Sequence, residues 1–261
     1  MLLEDDNKRP WVRRAARKQE PMNTNVLTPI PVVLTPIPVV FIPALLCDEA
    51  MYRDVIEALG EMIEAHVLLS PKVRLEESAA DILARAPAAF VLVGASYGGS
   101  LALEVVLAAP ERVIALCLTD CDPSAPQPGG PDLAGGLAAT PDTVVAMLAG
   151  LVVRPEATEA AAAFKAMAGR VGPAAGAAQA QATAARREAT SRLSMLTMPA
   201  LVLWGEEDPL MPVSLGRVLA DALPHAHFHV LPGCGHLPTL EKPAECAALI
   251  GNFLHDKLQL K

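Results

Sequence analysis

Six consecutive residues, Gly94-Ala95-Ser96-Tyr97-Gly98-Gly99, join an apolar run at 89–93 to a helical pattern at 100–109. A strand that enters a helix through so tight a turn forces Ser96 into a strained backbone conformation and leaves its hydroxyl exposed at a sheet edge. The flanking glycines follow from the same crowding. A side chain two residues to either side of Ser96 would collide with the neighbouring strand or helix. In a chain with 17 glycines and 52% hydrophobic residues, the pattern G-x-S-x-G can arise by accident, so its weight comes from its surroundings.

Those surroundings alternate. Apolar runs at 39–42, 65–69, 89–93 and 113–118 are separated by helical patterns at 48–59, 78–86 and 100–109, with Gly60 and Pro110 as stops. The alternation breaks at 123–135, rich in Pro and Gly, and at 136–193, rich in Ala and helical in pattern. It resumes with strands at 200–204 and 227–231 and helices at 213–223 and 244–258. Continuous apolar strands between helices imply an α/β fold: a mostly parallel sheet of about six strands covered by helices on both faces. Residues 123–193 are then a helical lid inserted between two parts of the core, 26–122 and 194–261. Residues 1–25 are charged, lack an apolar pattern and read as a disordered leader. The heptapeptide at 26–32 recurs at 33–39. Its second copy is expected to join the sheet, and its first to be an extended, proline-stiffened linker.

Composition narrows the partners. A net charge of −8 disfavours nucleic acid, because nothing could neutralise a run of phosphates. The five cysteines form no metal-ligating spacing and no even framework, which suits a cytoplasmic protein without a metal or other cofactor. The apolar stretch at 26–46 imitates an export signal, but five prolines interrupt it (Pro29, Pro31, Pro36, Pro38, Pro43) and no helical signal core tolerates that density. The Leu46 that precedes Cys47 is too large for a lipoprotein cleavage site. Nothing else is apolar for long enough to span a membrane. A monomer or small homo-oligomer is expected.

A serine hydroxyl is a weak nucleophile; it needs a base to take its proton, and the base needs an acid to orient it. Asp208, in Trp204-Gly205-Glu206-Glu207-Asp208-Pro209, follows one buried strand. His236, in Gly233-Cys234-Gly235-His236, follows the last. Ser96, Asp208 and His236 are therefore the candidate catalytic residues, all beyond the C-terminal ends of strands, where sites of parallel sheets form. Asp120 and Asp122, after an earlier strand, are rivals for the acid. Cys47 lacks a comparable turn and reads as packing, as does Cys234. His225, His227 and His229 share one strand face, which reads as a polar edge. Phe164, Met147 and Met167 in the Ala-rich region read as helix packing, with a place in the substrate pocket as the alternative.

These motifs resemble the α/β-hydrolase fold superfamily, in its compact bacterial serine esterase or lactonase type, over about residues 38–258. The segment 40–48 is similar to its first-strand segment, 91–99 to its elbow and 201–209 to its acid loop. Gly235-His236 with Leu240-Glu241-Lys242-Pro243 is similar to its histidine loop. The resemblance implies an acyl-enzyme mechanism on a small-molecule ester or lactone, with the backbone N–H groups of Leu45 and Tyr97 as oxyanion hole. The alternatives are C–C bond hydrolysis or cofactor-free perhydrolysis by the same triad, or a binding protein that has lost turnover. Two departures stand out. Pro43-Ala44 replaces the usual His-Gly pair of the oxyanion loop, and the first two strands of the superfamily have no counterpart in the leader.

Overall fold

Six parallel strands form one sheet in the order β2-β1-β3-β4-β5-β6. The computed structural model describes residues 35–258; the leader at 1–25 and the first copy of the repeat lie outside them. In chain order, β1 (Ile37–Ile42) leads through a 3₁₀ turn (Glu49–Met51) to α1 (Arg53–Leu59), and β2 (Ile63–Val67) to α2 (Leu75–Arg85). Next come β3 (Phe90–Ala95), α3 (Tyr97–Ala108) and β4 (Val113–Thr119). An insertion follows, comprising α4 (Leu133–Ala139), α5 (Pro141–Ala149), α6 (Thr158–Val171), α7 (Pro173–Ala184) and α8 (Thr190–Leu193). The chain closes with β5 (Ala200–Gly205), α9 (Val213–Ala222), β6 (Ala226–Leu231), α10 (Pro238–Glu241) and α11 (Pro243–Leu258).

The strands read as unbroken apolar runs because both faces are covered. Val39 and Phe41, Val91 and Val93, and Leu201 and Leu203 point into a core shared with α1 and α11. The alternate residues, Val40 and Ile42, Phe90 and Leu92, and Val202 and Trp204, point into a second core closed by α2, α3 and α9. Trp204 is the largest fully buried side chain, which is how a chain with 3% aromatics fills its volume: Ala, Val and Leu do most of the packing. No helix among the described residues is long and apolar enough to cross a membrane.

Element boundaries differ from expectation for identifiable reasons. The helix expected at 48–59 is two pieces. Asp48 caps the 3₁₀ turn by accepting the Ala50 N–H, and α1 begins anew at Arg53. The second helix begins at Leu75 rather than 78, because the Ser78 hydroxyl donates to Ser70 O at 2.6 Å instead of capping a helix. The second strand lies at 63–67 rather than 65–69. It is a sheet edge whose Glu64 and Ala65 face solvent, so its polarity hides it, while Leu68 has left the strand.

Strain gathers at one end of the sheet. Among the described residues, the non-glycine residues with positive φ are Leu46 (60°), Ser96 (52°) and Asp120 (44°), which follow β1, β3 and β4 on its C-terminal edge. Conformations of this kind persist only where the surroundings fix them, and they cluster at functional sites.

Candidate active site

Ser96 sits alone between β3 and α3, at φ 52° and ψ −118°. Its N–H donates to Thr119 O on β4 at 2.9 Å, which pins the turn to the sheet. A Cβ on Gly94 would lie 2.8 Å from the Ala102 Cβ and closer still to Gly98 O. One on Gly98 would run into Ile42 O and lie 2.5 Å from Pro43 O. Both glycines are therefore required by close backbone approach, and Gly98 is the point at which the elbow touches the loop after β1.

The loops after β5 and β6 bring the other candidates to the serine. His236 Nε2 lies 2.8 Å from Ser96 Oγ, and His236 Nδ1 lies 2.7 Å from Asp208 Oδ2. The histidine and aspartate side chains are 3% and 1% exposed. The second oxygen of Asp208 accepts the Leu210 and Met211 N–H groups at 2.8 and 3.0 Å, so the carboxylate cannot swing. An ionised carboxylate only accepts hydrogen bonds. The proton between Asp208 and His236 therefore belongs to Nδ1, leaving Nε2 free to accept from the serine hydroxyl. The acid and histidine loops touch backbone to backbone: a Cβ on Gly205 would strike Gly235 O and come within 2.7 Å of Cys234 O.

Asp120 and Asp122, the rival acids, lie elsewhere in this arrangement. Asp122 pairs with Arg186 at 3.1 Å. Asp120 is fully buried and accepts the Gly205 N–H at 2.9 Å through one oxygen, while its other oxygen has no partner other than an acid. Ligand atoms of Asp120, Asp208 and His236 lie within 4.8 Å of one another. Burial first, and then the adjacent Asp208 charge, hold the Asp120 carboxyl well above the usual carboxylate range. That direction accords with the rule that close buried carboxylates do not both ionise.

Leu45 and Tyr97 both line the cavity that holds Ser96 and His236. Tyr97 is the first residue of α3, where N–H groups have no partner inside the helix. The Leu45 N–H makes no hydrogen bond among the described residues. The cavity has a volume of about 740 Å³ and is walled mainly by the insertion. Phe164 and Met147 line it, whereas Met167 is packed in the core. Cys47 is buried and desolvation pushes its thiol up, the opposite of what a nucleophile needs; the Cys234 thiol is pushed up for the same reason. His227 and His229 are exposed on the edge strand β6, and His225 is exposed just before it.

Three supporting residues escaped the sequence reading. Glu241, 1% exposed, accepts the Gly235 N–H at 2.9 Å and pairs with Arg154 at 3.2 Å. Gln179, on α7, accepts the Leu46 N–H at 2.9 Å. Arg170, on α6, holds Asp48 through two bonds of 2.6 and 3.0 Å. Only Glu241 lay inside a recognisable motif; the other two sit in an Ala-rich stretch with no local signal.

Known proteins bear on this geometry. Over 74 residues the chain is 34% identical to a 2-hydroxy-6-oxononadienedioate/2-hydroxy-6-oxononatrienedioate hydrolase of Pseudomonas sp., a stretch that covers 28% of this chain and 26% of that protein. In fold it is similar to a thermophilic esterase from Thermogutta terrifontis, with a TM-score of 0.76 at 22% identity over 85% of this chain and 90% of the other. It is equally similar to the enol-lactonase from Burkholderia xenovorans LB400, with a TM-score of 0.76 at 17% identity over 84% and 91% of the two chains. Residues 48–249 match the model of the alpha/beta hydrolase family, and with the six-stranded parallel sheet and the elbow in place, the chain belongs to that family.

Proposed function

We propose that this hydrolase cleaves an uncharged, largely apolar carboxylic ester or lactone through an acyl-enzyme on Ser96. The observation that carries the reading is the continuous chain Ser96–His236–Asp208, with links of 2.8 and 2.7 Å, in a largely apolar cavity. His236 Nε2 takes the hydroxyl proton as Ser96 Oγ attacks the acyl carbon. The carbonyl electrons move onto oxygen, where the N–H groups of Leu45 and Tyr97 meet them. His236 then returns its proton to the departing alkoxide. In the second half, water gives a proton to His236 and attacks the acyl-serine, and the acid leaves as Ser96 is restored. Asp208 fixes the tautomer and stabilises the imidazolium throughout. The inserted helices act as a lid that excludes competing water and supplies the apolar walls.

The same machinery suits C–C bond hydrolysis, the reading favoured by the identity to a dienedioate hydrolase. A dicarboxylate needs a cation in the cavity. Among the described residues that line it, Arg186 is the one Arg or Lys, and its guanidinium is committed to Asp122, Ser124 O and Thr183 O. Asp122 and Asp132 line the same cavity, so an anionic acyl group would meet no free positive charge. This favours an uncharged ester. The test is turnover of p-nitrophenyl acetate and butyrate beside a dicarboxylate meta-cleavage product, with intact-mass detection of acyl-Ser96. Ser96→Ala is expected to lose turnover by on the order of 10⁴-fold or more. Wild-type turnover in that variant would end the reading, and faster cleavage of the dicarboxylate would move it to C–C hydrolysis.

A further inference from the structure

The loop after β1 carries the Leu45 N–H and turns at 44–47, closed by the Cys47 N–H donating to Ala44 O at 3.0 Å, a bond that leaves the Leu46 N–H without a partner in the turn itself. Its first residues are Pro43-Ala44, and Pro43 has no N–H to anchor the turn. Ala44 N–H reaches the Met51 sulfur at 3.3 Å, a weak acceptor. The next residues carry the strain: Leu46 has φ 60°, a region that β-carbon-bearing residues enter only where surroundings compel them. Besides the Cys47–Ala44 bond, further contacts come from the insertion. Gln179 Oε1 accepts the Leu46 N–H at 2.9 Å, and Gln179 is 2% exposed. The Leu46 side chain presses on Gly176, one turn earlier on the same helix, so closely that a Cβ there would overlap it. Two residues further along the loop, Asp48 is 8% exposed and gripped by Arg170 of α6, while its Oδ1 also accepts the Ala50 N–H at 3.0 Å.

We infer that the inserted helices form one side of the oxyanion hole, with Gln179 as the positioning residue that holds Leu46 in its strained conformation and so aims the neighbouring Leu45 N–H. Gln179 lies 133 positions from Leu46 in sequence and touches no reacting atom. It acts by accepting the Leu46 N–H, which the Cys47–Ala44 turn bond leaves unused. An amide without that acceptor is buried and unsatisfied, which the loop relieves by rotating the 45–46 peptide. Rotation moves the Leu45 donor away from the developing oxyanion, and a displacement of about 1 Å is worth on the order of 10²-fold in rate. Arg170 supports the same loop from its far end. On this view the segment that selects the substrate also sets the strength of the oxyanion hole, so a substrate that displaces α7 is turned over slowly however well it binds.

The inference rests on the acyl-transfer reading for its kinetic consequence but not for its structural one, and the test separates them. Gln179→Met removes the acceptor at nearly constant volume; Gln179→Glu keeps it. In the full-length protein, Gln179→Met is expected to lower kcat for p-nitrophenyl butyrate by roughly 10- to 100-fold with KM within about 3-fold. Gln179→Glu is expected to stay within about 3-fold of wild type, because the Leu46 N–H still has its acceptor. Exchange of the Leu46 amide, followed without substrate, is expected to accelerate in Gln179→Met and not in Gln179→Glu. An unchanged kcat, or an unchanged Leu46 exchange rate, in Gln179→Met overturns the inference. So does an equal loss of kcat in both variants. If Gln179→Met does not fold, Gln179→Asn, one methylene too short to reach Leu46, carries the same expectations. A wild-type protein that forms no acyl-Ser96 would end the hydrolase reading instead, and Leu46 exchange would still decide the positioning.

Discussion

The two sides of Ser96 are supported in different ways. On one side the acid and histidine loops brace each other through the core. Glu206 N–H donates to Leu231 O at 3.0 Å and Glu207 N–H to Cys234 O at 2.8 Å, and Gly205 lies against Gly235. On the other side the loop after β1 takes its shape from α6 and α7, through Arg170 and Gln179. On the proposed reading, the proton-transfer residues belong to the sheet, and the charge-stabilising loop is shared with the helices that wall the cavity. Two adjacent strand ends can fix each other because their backbones supply donors and acceptors at fixed spacing. The loop at the opposite side of the serine meets the elbow backbone at Gly98 and closes its own turn through Cys47 and Ala44, and α6 and α7 supply its remaining polar partners.

The strongest way to break the comparison is to disable the core-supported side without disturbing its geometry. Asp208→Asn retains the size of the side chain and an oxygen for the Leu210 and Met211 N–H groups, but it can present an N–H₂ to His236 and select the wrong tautomer. Ester turnover is expected to fall on the order of 10⁴-fold, well beyond the loss expected on removal of the Gln179 acceptor. If Asp208→Asn costs no more than Gln179→Met, proton transfer is not the more demanding side.

That difference in support also governs what a single sequence discloses. Ser96, Asp208 and His236 each occupy a short motif that begins on an apolar strand, so local pattern carries both the element and the side chains that the fold brings together. The strands were legible for the same reason, except where exposure on the sheet edge made Glu64 and His66 polar. Gln179 and Arg170 had no such pattern. They lie on helices whose Ala-rich sequence specifies helix and little else, and their partners stand more than a hundred residues away. Asp120 was visible as a carboxylate after a strand, but the upward push on its carboxyl comes from burial beside Asp208, which is a matter of tertiary structure.

Asp120 sharpens the comparison within the core-supported side. Asp120→Asn can still accept from Gly205 and donate to Asp208, so kcat is expected within about 3-fold of wild type, whereas Asp120→Ala leaves the Gly205 N–H unpaired and is expected to lose about 1–3 kcal/mol of stability. The pH dependence has a definite sign. A carboxyl whose folded pKa lies above its unfolded value of about 3.9 binds its proton more tightly when folded. Its stabilisation is complete below the unfolded pKa and is lost as pH rises towards the folded one. The melting temperature of Asp120→Asn relative to wild type should therefore climb steadily as pH rises above about 4. A difference that is flat with pH would mean that Asp120 is ionised and its proton is not shared with Asp208.

The smallest expected effect probes an ion pair through which the insertion reaches the core-supported side. Arg154, between α5 and α6, pairs with Glu241, and Glu241 in turn accepts the Gly235 N–H next to His236. Glu241→Gln keeps an acceptor for Gly235 and gives up the charge on the Arg154 bond, a loss of about 1 kcal/mol because the arginine stays partly hydrated. For a domain of this size that corresponds to a fall of about 2–4 °C in melting temperature. Turnover is expected to stay within about 2-fold, because the histidine loop keeps its backbone contacts to the acid loop when the ion pair weakens. Equal losses of kcat in Glu241→Gln and Gln179→Met would show that the insertion holds both sides of the serine alike. A thermal shift without a kinetic one would confine its catalytic influence to the loop after β1, where Gln179 holds the N–H of the strained Leu46.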